Sequence, residues 1–153
     1  MSPNQWGPPI WTLFHTLAEK IKEDKFSVVG PQVFALIRRI STTLPCPDCS
    51  RHATNYLARV KFNLIKSKNS FRGLILHFHN AVNKRKNKTP FAYSDLSYKY
   101  GNVSLIRAYN GFVAAYNTRG NMNLIADSFQ RKLIMQDVRK WFLANIQHFD
   151  STF

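Results

Sequence analysis

Only two cysteines occur in the 153 residues, Cys46 and Cys49. Arithmetic thereby excludes a framework of structural disulfides, and the pair is left as a redox dithiol, part of a metal site, or inert. Acids are scarce as well: 8 Asp and Glu stand against 22 Lys and Arg, a formal charge of +14. No apolar run approaches the roughly 18 residues that mark a membrane-spanning helix. The opening Met1-Ser-Pro-Asn-Gln-Trp6 lacks the basic and then apolar layout of a secretory signal. The chain is therefore expected to stay in the cytoplasm where it is made, a reducing compartment. A lone Cys-x-x-Cys there reads as reactive or metal-bound rather than as a permanent staple.

What is present suffices for one core, since 44% of the residues are hydrophobic and 14% aromatic. The positive charge is concentrated, with thirteen Lys or Arg between residues 25 and 94 and Asp48 as the single acid. Such a field attracts nucleic acid, an acidic protein or the phosphates of a cofactor without choosing among them, and it also suits a merely solvated face.

Helical spacing runs through almost the whole chain. Ile10, Trp11, Phe14, Leu17, Ala18 and Ile21 place an apolar stripe on a helix over about 8–24, with Pro8 and Pro9 marking its start. Gly30-Pro31 is expected to break the chain before a second helix carrying Val33, Phe34, Ile37, Ile40 and Leu44, which ends near Pro45. Pro47 suits the first turn of a third helix bearing Cys49, His52, Ala53, Tyr56, Leu57 and Val60, with Cys46 at its N-terminal edge. Phe71, Leu74, Ile75, Phe78, Ala81 and Val82 give a fourth, running into the basic Lys84–Lys88 and closed by Thr89-Pro90. Tyr93–Asn102 reads as a loop. A fifth helix follows from Val103 to Tyr116, then a turn at Arg119–Asn123 and one or two helices from Leu124 to Phe149. No strand run or repeat is present, so the fold class is all-α.

A thiol at a helix N-terminus meets unpaired amides and the positive end of the helix dipole, which favours Cys46 as thiolate. Two intervening residues across the first turn bring the sulfurs within bonding reach. Alternatively Cys46, Cys49, His52 and a later histidine would suffice for tetrahedral zinc in a helical module that binds nucleic acid. Against that, His77 and His79 lie two apart on a helix and point in different directions, and no docking motif for nucleic acid is recognisable.

Three segments, in order, resemble the signatures of the Erv/ALR family of FAD-linked sulfhydryl oxidases. They are Trp6-Gly-Pro-Pro-Ile-Trp11-Thr-Leu-Phe-His15, Cys46-Pro-Asp-Cys49, and His77-Phe-His79-Asn80-Ala-Val-Asn83-Lys84-Arg-Lys-Asn-Lys88. The resemblance covers about residues 6–95. It implies a four-helix bundle around FAD with a short fifth helix, and a homodimer. It divides the chain into an FAD-binding bundle over 1–100 and a helical extension over 101–153. By resemblance, Trp11 and His15 line the flavin and adenine cavity with Trp6 and Gly7 at its edge. His79, Asn80 and Asn83 contact the adenosine, His77 and Tyr93 assist, and Lys84 and Lys88 meet phosphates or a flavin oxygen. Cys49 lies against the flavin and Cys46 is the catalytic sulfur open to substrate. The implied reaction moves electrons from a thiol-bearing protein partner through the Cys46–Cys49 pair and FAD to dioxygen, giving hydrogen peroxide. No resident metal, no membrane span and no nucleic acid partner are implied.

Many members of that family carry a further structural disulfide and a shuttle cysteine pair, and this chain has neither. In that minimal form it resembles the oxidases of large DNA viruses. Host cytoplasm or virion is then its expected location. The apolar residues of the extension, including Tyr109, Phe112, Tyr116, Leu133, Trp141 and Phe142, need a cover, either the bundle or a second subunit.

Overall fold

The computed structural model describes residues 3–117 and 125–150, and the regular elements among the described residues are helices. In chain order they are α1 (Pro3–Lys20), α2 (Phe26–Ser41), α3 (Pro47–Ala58), α4 (Lys68–Arg85), the short α5 (Leu96–Tyr100), α6 (Leu105–Tyr116) and α7 (Ile125–Asn145). The expected turn at Arg119–Asn123 lies outside the described residues.

α1 is the central element, with α4, α5 and α6 packed against it, while α2 touches α3, α4 and α7. Its inner face is the stripe seen in the sequence: Ile10, Phe14, Leu17 and Ala18 are buried and Trp11 half-buried, with Ile21 buried just past the helix end. Its limits differ from those expected. The helix begins at Pro3 and continues through Pro8 and Pro9. Two amides are lost there, and an interior proline costs about 3 kcal/mol. The outer turn is held down because the Trp6 indole is buried in the core, and burying a large apolar side chain returns about 1.5–3 kcal/mol. The helix stops at Lys20 rather than 24 because the chain end pairs with it. The Lys22 amide donates to the His148 carbonyl at 2.9 Å, the Asp150 amide to the Lys20 carbonyl at 2.6 Å, and Ile21 bridges Phe149.

Gly30-Pro31 does not break the chain either, since α2 starts at Phe26 and runs through both. Pro31 is the sixth residue of α2, past the amides that lack an intrahelical partner, so the bond it would have made to Ser27 is lost and the burial of Val29, Val33 and Phe34 offsets that cost. Gly30 serves packing: a Cβ on it would lie 2.6 Å from the Phe26 ring, which folds back over the bare backbone. Val60, expected on the third helix, lies past its end at Ala58. The Tyr93–Asn102 stretch is largely helical, a single 3-10 turn over Tyr93–Asp95 leading into α5, where Leu96 and Tyr100 are buried. Two buried residues in so short a segment leave too little periodicity to mark a helix in the sequence.

α6 lies against α1 through Leu105, Ala108, Phe112, Ala115 and Tyr116, all buried in the same apolar cluster as the inner face of α1. No described helix is long and apolar enough to cross a membrane.

Candidate functional site

Cys46 is the N-cap of α3, in extended backbone at φ −147° and ψ 109°, and Pro47 takes the first helical position, where its missing amide is no loss. The Cys46 sulfur accepts the Cys49 amide hydrogen at 3.2 Å, as a capping serine oxygen would. The two sulfurs are bonded, with the α-carbons 5.2 Å apart. Asp48, in the first turn, is paired with Arg51, with Arg85 at 3.4 Å and with His52 at 3.7 Å. The one acid of residues 25–94 thus ties the cysteine helix to the end of α4.

Behind the pair lies a narrow cavity of about 40 Å³, walled by Cys49 with Trp6, Gly7, Trp11, Phe14, Ser41, Phe78, Val82, Arg85 and Lys86. Cys46 is not in that wall. A second cleft of about 340 Å³ adjoins it through Gly7, Trp11, Val82 and Lys86, and adds His79, Asn83, Lys88, Phe91, Lys99 and Tyr100. Only the second falls in the size range of ligand sites, whereas the first has room for no more than a few water molecules as it stands; both are aromatic with a few placed polar groups.

The partition between them is aromatic. Trp11 stacks on His79 at 4.1 Å and 9°, Phe78 meets Trp11 edge-on, and His15 stacks on Tyr100 at 4.4 Å and 12°. His15 Nε2 and His79 Nδ1 are 2.8 Å apart and share one hydrogen bond. Burial first, then His79 and Lys99, lowers the His15 pKa to about 3; burial, then Lys99 and Lys88, lowers that of His79 to about 4. Both rings are neutral at pH 7.

The second cleft has no acid in its wall, while Lys86, Lys88 and Lys99 converge on it. Burial and the neighbouring Lys88 and Arg85 push the Lys86 pKa down, a penalty that a bound anion removes. In the first cavity two buried polar atoms have no partner, the Trp6 indole nitrogen and the Ser41 hydroxyl. Buried polar groups are nearly always hydrogen-bonded, so a pair of orphans in one wall points to a polar ligand there. A flat heteroaromatic ring with polar edges, joined to phosphates and a second ring, fits aromatic walls, orphaned donors and converging lysines together.

Of the residues singled out from the sequence, Trp6, Gly7, Trp11, Cys49, His79, Asn83 and Lys88 line these clefts, and His15 stands directly behind His79. Asn80 has a different role, because its side chain donates to the Phe91 carbonyl at 2.8 Å and accepts the Phe91 amide at 2.9 Å, pinning the segment that closes the second cleft. Its oxygen also accepts from Asn83 at 3.3 Å. His77 and Lys84 are exposed and line neither cleft. Tyr93 is also outside, where its hydroxyl and ring brace Arg72, the guanidinium that pairs with Glu19 at 2.7 Å. His52 is exposed, and no cluster of three or more metal-ligating side chains exists among the described residues, so the zinc alternative has no site there.

Sequence reasoning passed over Ser41, Phe78, Lys86, Lys99 and Tyr100. Ser41 had a signal, a polar residue in register with Val33, Ile37 and Ile40 on the apolar face of the second helix. Lys99 and Tyr100 were hidden by reading their segment as a loop.

Comparison with known proteins agrees with this geometry. Residues 8–101 match the Erv1 / Alr family. A protein of African swine fever virus (isolate Tick/Malawi/Lil 20-1/1983) named FAD-linked sulfhydryl oxidase is 31% identical over 90 residues, which covers 59% of this chain and 75% of that protein. Proteins of Invertebrate iridescent virus 6 and Invertebrate iridescent virus 3 that carry the same activity in their names are 28% and 30% identical. The first match covers 58% of this chain and 85% of the relative, the second 65% and 68%. No solved structure matches.

Proposed function

The chain belongs to the Erv1/Alr family, and from that premise we propose that Cys46 and Cys49 are the catalytic disulfide of an FAD-dependent thiol oxidase. The enzyme forms disulfides in thiol-bearing proteins and delivers the two electrons to dioxygen, which leaves as hydrogen peroxide. FAD is its cofactor, and when bound it supplies the two-electron link to dioxygen that no side chain provides. The observation that carries the roles of the two sulfurs is that Cys49 walls the aromatic cavity while Cys46 caps the helix outside it.

A substrate thiolate attacks the Cys46 sulfur, the Cys46–Cys49 bond breaks, and Cys49 is released as a thiolate facing the cavity. The second substrate thiolate attacks its own partner sulfur in the mixed disulfide, and Cys46 departs as a thiolate. Its departure is eased by the Cys49 amide and by the positive end of α3, which stabilise the charge on the departing sulfur. The substrate has then lost two electrons, and the Cys46–Cys49 pair holds them.

We assign cofactor binding to Trp6, Gly7, Trp11, Ser41, Cys49, Phe78, His79, Asn83, Lys86, Lys88, Lys99 and Tyr100, with His15 and Asn80 positioning residues behind them. Trp6 and Ser41 would hold the polar edge of the flavin ring, and the three lysines the phosphates. His77, Lys84 and Tyr93 stand outside this set. Residues 1–100 form the catalytic bundle in this reading and 101–153 an extension on it, supported by the end of the family match at residue 101. We place the enzyme in the cytoplasm or a virion, where a chain whose only cysteines are the redox pair has no structural disulfide to lose. A homodimer is the proposed assembly.

Purified protein incubated with FAD is expected to be yellow, with a flavin absorption band. Cys46→Ser and Cys49→Ser should each keep that band and lose peroxide production from a dithiol. A protein that remains colourless sinks the reading, and undiminished turnover in either variant sinks the relay.

A further inference from the structure

The joint between α2 and α3, residues 42–45, leads directly into Cys46, and its polar groups are held from several directions. Thr42 donates its hydroxyl to the Arg39 carbonyl at 2.6 Å, and the Leu44 amide donates to the Ser50 hydroxyl at 2.7 Å. Both partners belong to the helices the joint connects. The Thr42 and Thr43 amides also return to α2, and further partners come from the part of the chain beyond residue 101. The hydroxyls of Thr43 and Tyr116 are 2.6 Å apart, Tyr116 donates to the Ile40 carbonyl at 3.3 Å, and an Arg131 nitrogen donates to the Thr43 carbonyl at 3.5 Å.

Tyr116 is 0% exposed and Arg131 1%. An extension that served only to cover apolar surface would place apolar side chains here, because burying a hydroxyl and a guanidinium costs free energy unless each is paired. Here their pairing reaches the backbone that carries Cys46. The Tyr116 ring is fixed by stacking on Phe112 at 5.0 Å, and burial first pushes its pKa up to about 12, so the phenol keeps its proton.

We propose that the extension clamps the cysteine joint, with Tyr116 as a positioning residue that acts through Thr43 to hold Cys46 at disulfide spacing from Cys49. This rests on the thiol-oxidase reading, since only a redox pair has two covalent states for a clamp to bias. A joint held at an α-carbon spacing of 5.2 Å keeps each thiol at high effective concentration beside the other, which favours the bonded over the reduced state. Loosening the joint lets the thiols part on reduction, so the disulfide becomes easier to reduce.

The test is a glutathione equilibrium on the full chain loaded with FAD, with dioxygen excluded so that no electrons leave through the flavin, and with free thiols alkylated and counted by mass. In each exchange the protein disulfide takes two electrons from two glutathione thiols, giving the dithiol and one oxidised glutathione. Tyr116→Phe keeps the ring and deletes only the hydroxyl, and Thr43→Val deletes its partner. Each should lower the equilibrium constant for forming the protein disulfide by roughly threefold to tenfold, the range expected for one hydrogen bond. The double variant should match Tyr116→Phe alone, because a shared bond is lost once. Unchanged constants in both single variants overturn the proposal, as does a double variant whose loss is the product of the singles. A lowered melting temperature with an unchanged constant also overturns it, since that is what a purely structural brace produces. A protein that takes up no flavin defeats the oxidase reading instead, and the glutathione constants still decide the clamp.

Discussion

At the scale of single residues, the shared bond between His15 and His79 sets a pH requirement on the fold. In the unfolded chain each imidazole takes a proton near pH 6.5, whereas in the folded molecule the two stay neutral down to about pH 3 and about 4. Between those values the unfolded chain binds more protons, so stability rises with pH across the window and is complete only above about 6.5. The urea midpoint is therefore expected to fall as pH drops from 7 to 4.5, and to fall less in a His79→Asn variant. A midpoint flat over that range would show that the pair is not buried neutral. That His79 belongs to the site was legible from its motif. That its partner is His15 was not, because 64 residues separate them and only packing brings the rings together. Asn80 teaches the converse. Its place in the motif suggested adenosine, yet both ends of its amide are occupied by the Phe91 backbone.

The helix elements decide which lysines face the cofactor clefts. α4 ends in a reversal in which Asn87 takes φ 56°, the Asn87 amide returns to the Lys84 carbonyl, and the Lys88 amide returns to that of Asn83. The basic run is thereby folded back on itself: Lys86 and Lys88 enter the clefts and Lys84 stays on the exposed side. Lys86→Ala should weaken FAD binding by roughly tenfold or more, the scale of a charged hydrogen bond, and Lys84→Ala by less than about twofold. Fluorescence titration of FAD into each variant measures both, and equal losses would contradict the assignment. The run Lys84–Lys88 was visible in the sequence as basic, but which side chain turned inward depended on one left-handed residue. Gly30-Pro31 misled for a similar reason. The local rule for a breaker applied, and the burial of Val29, Val33 and Phe34 on either side of the pair overrode it, with Gly30 leaving room for the Phe26 ring.

The whole molecule is built around α1, shared between the bundle helices on one side and α6 on the other. α6 buries Phe112 and Tyr116 in that contact and exposes only Ile106 among its large apolar side chains, whereas α7 exposes Phe129 and Leu133, one turn apart and 63% and 39% accessible. If the proposed homodimer uses this strip, light scattering should give twice 17.7 kDa for the native chain and a single-chain mass for Phe129→Asp with Leu133→Asp, with FAD retained. A native single-chain mass removes the dimer. A variant that stays dimeric moves the interface elsewhere. From the sequence by itself came the helical class, the Cys46–Cys49 pair at a helix start and, through the resemblance of three segments, the family and its cofactor. The first two follow from local spacing and residue chemistry, and the last from motifs that lie along the chain in the family's order. Only the tertiary structure decided that Ser41 and Lys86 face the clefts, that Asn80 holds Phe91, and that Tyr116 reaches Thr43 across 73 residues. Those are contacts between distant segments, set by how helices pack and end, and no periodicity along the chain encodes them.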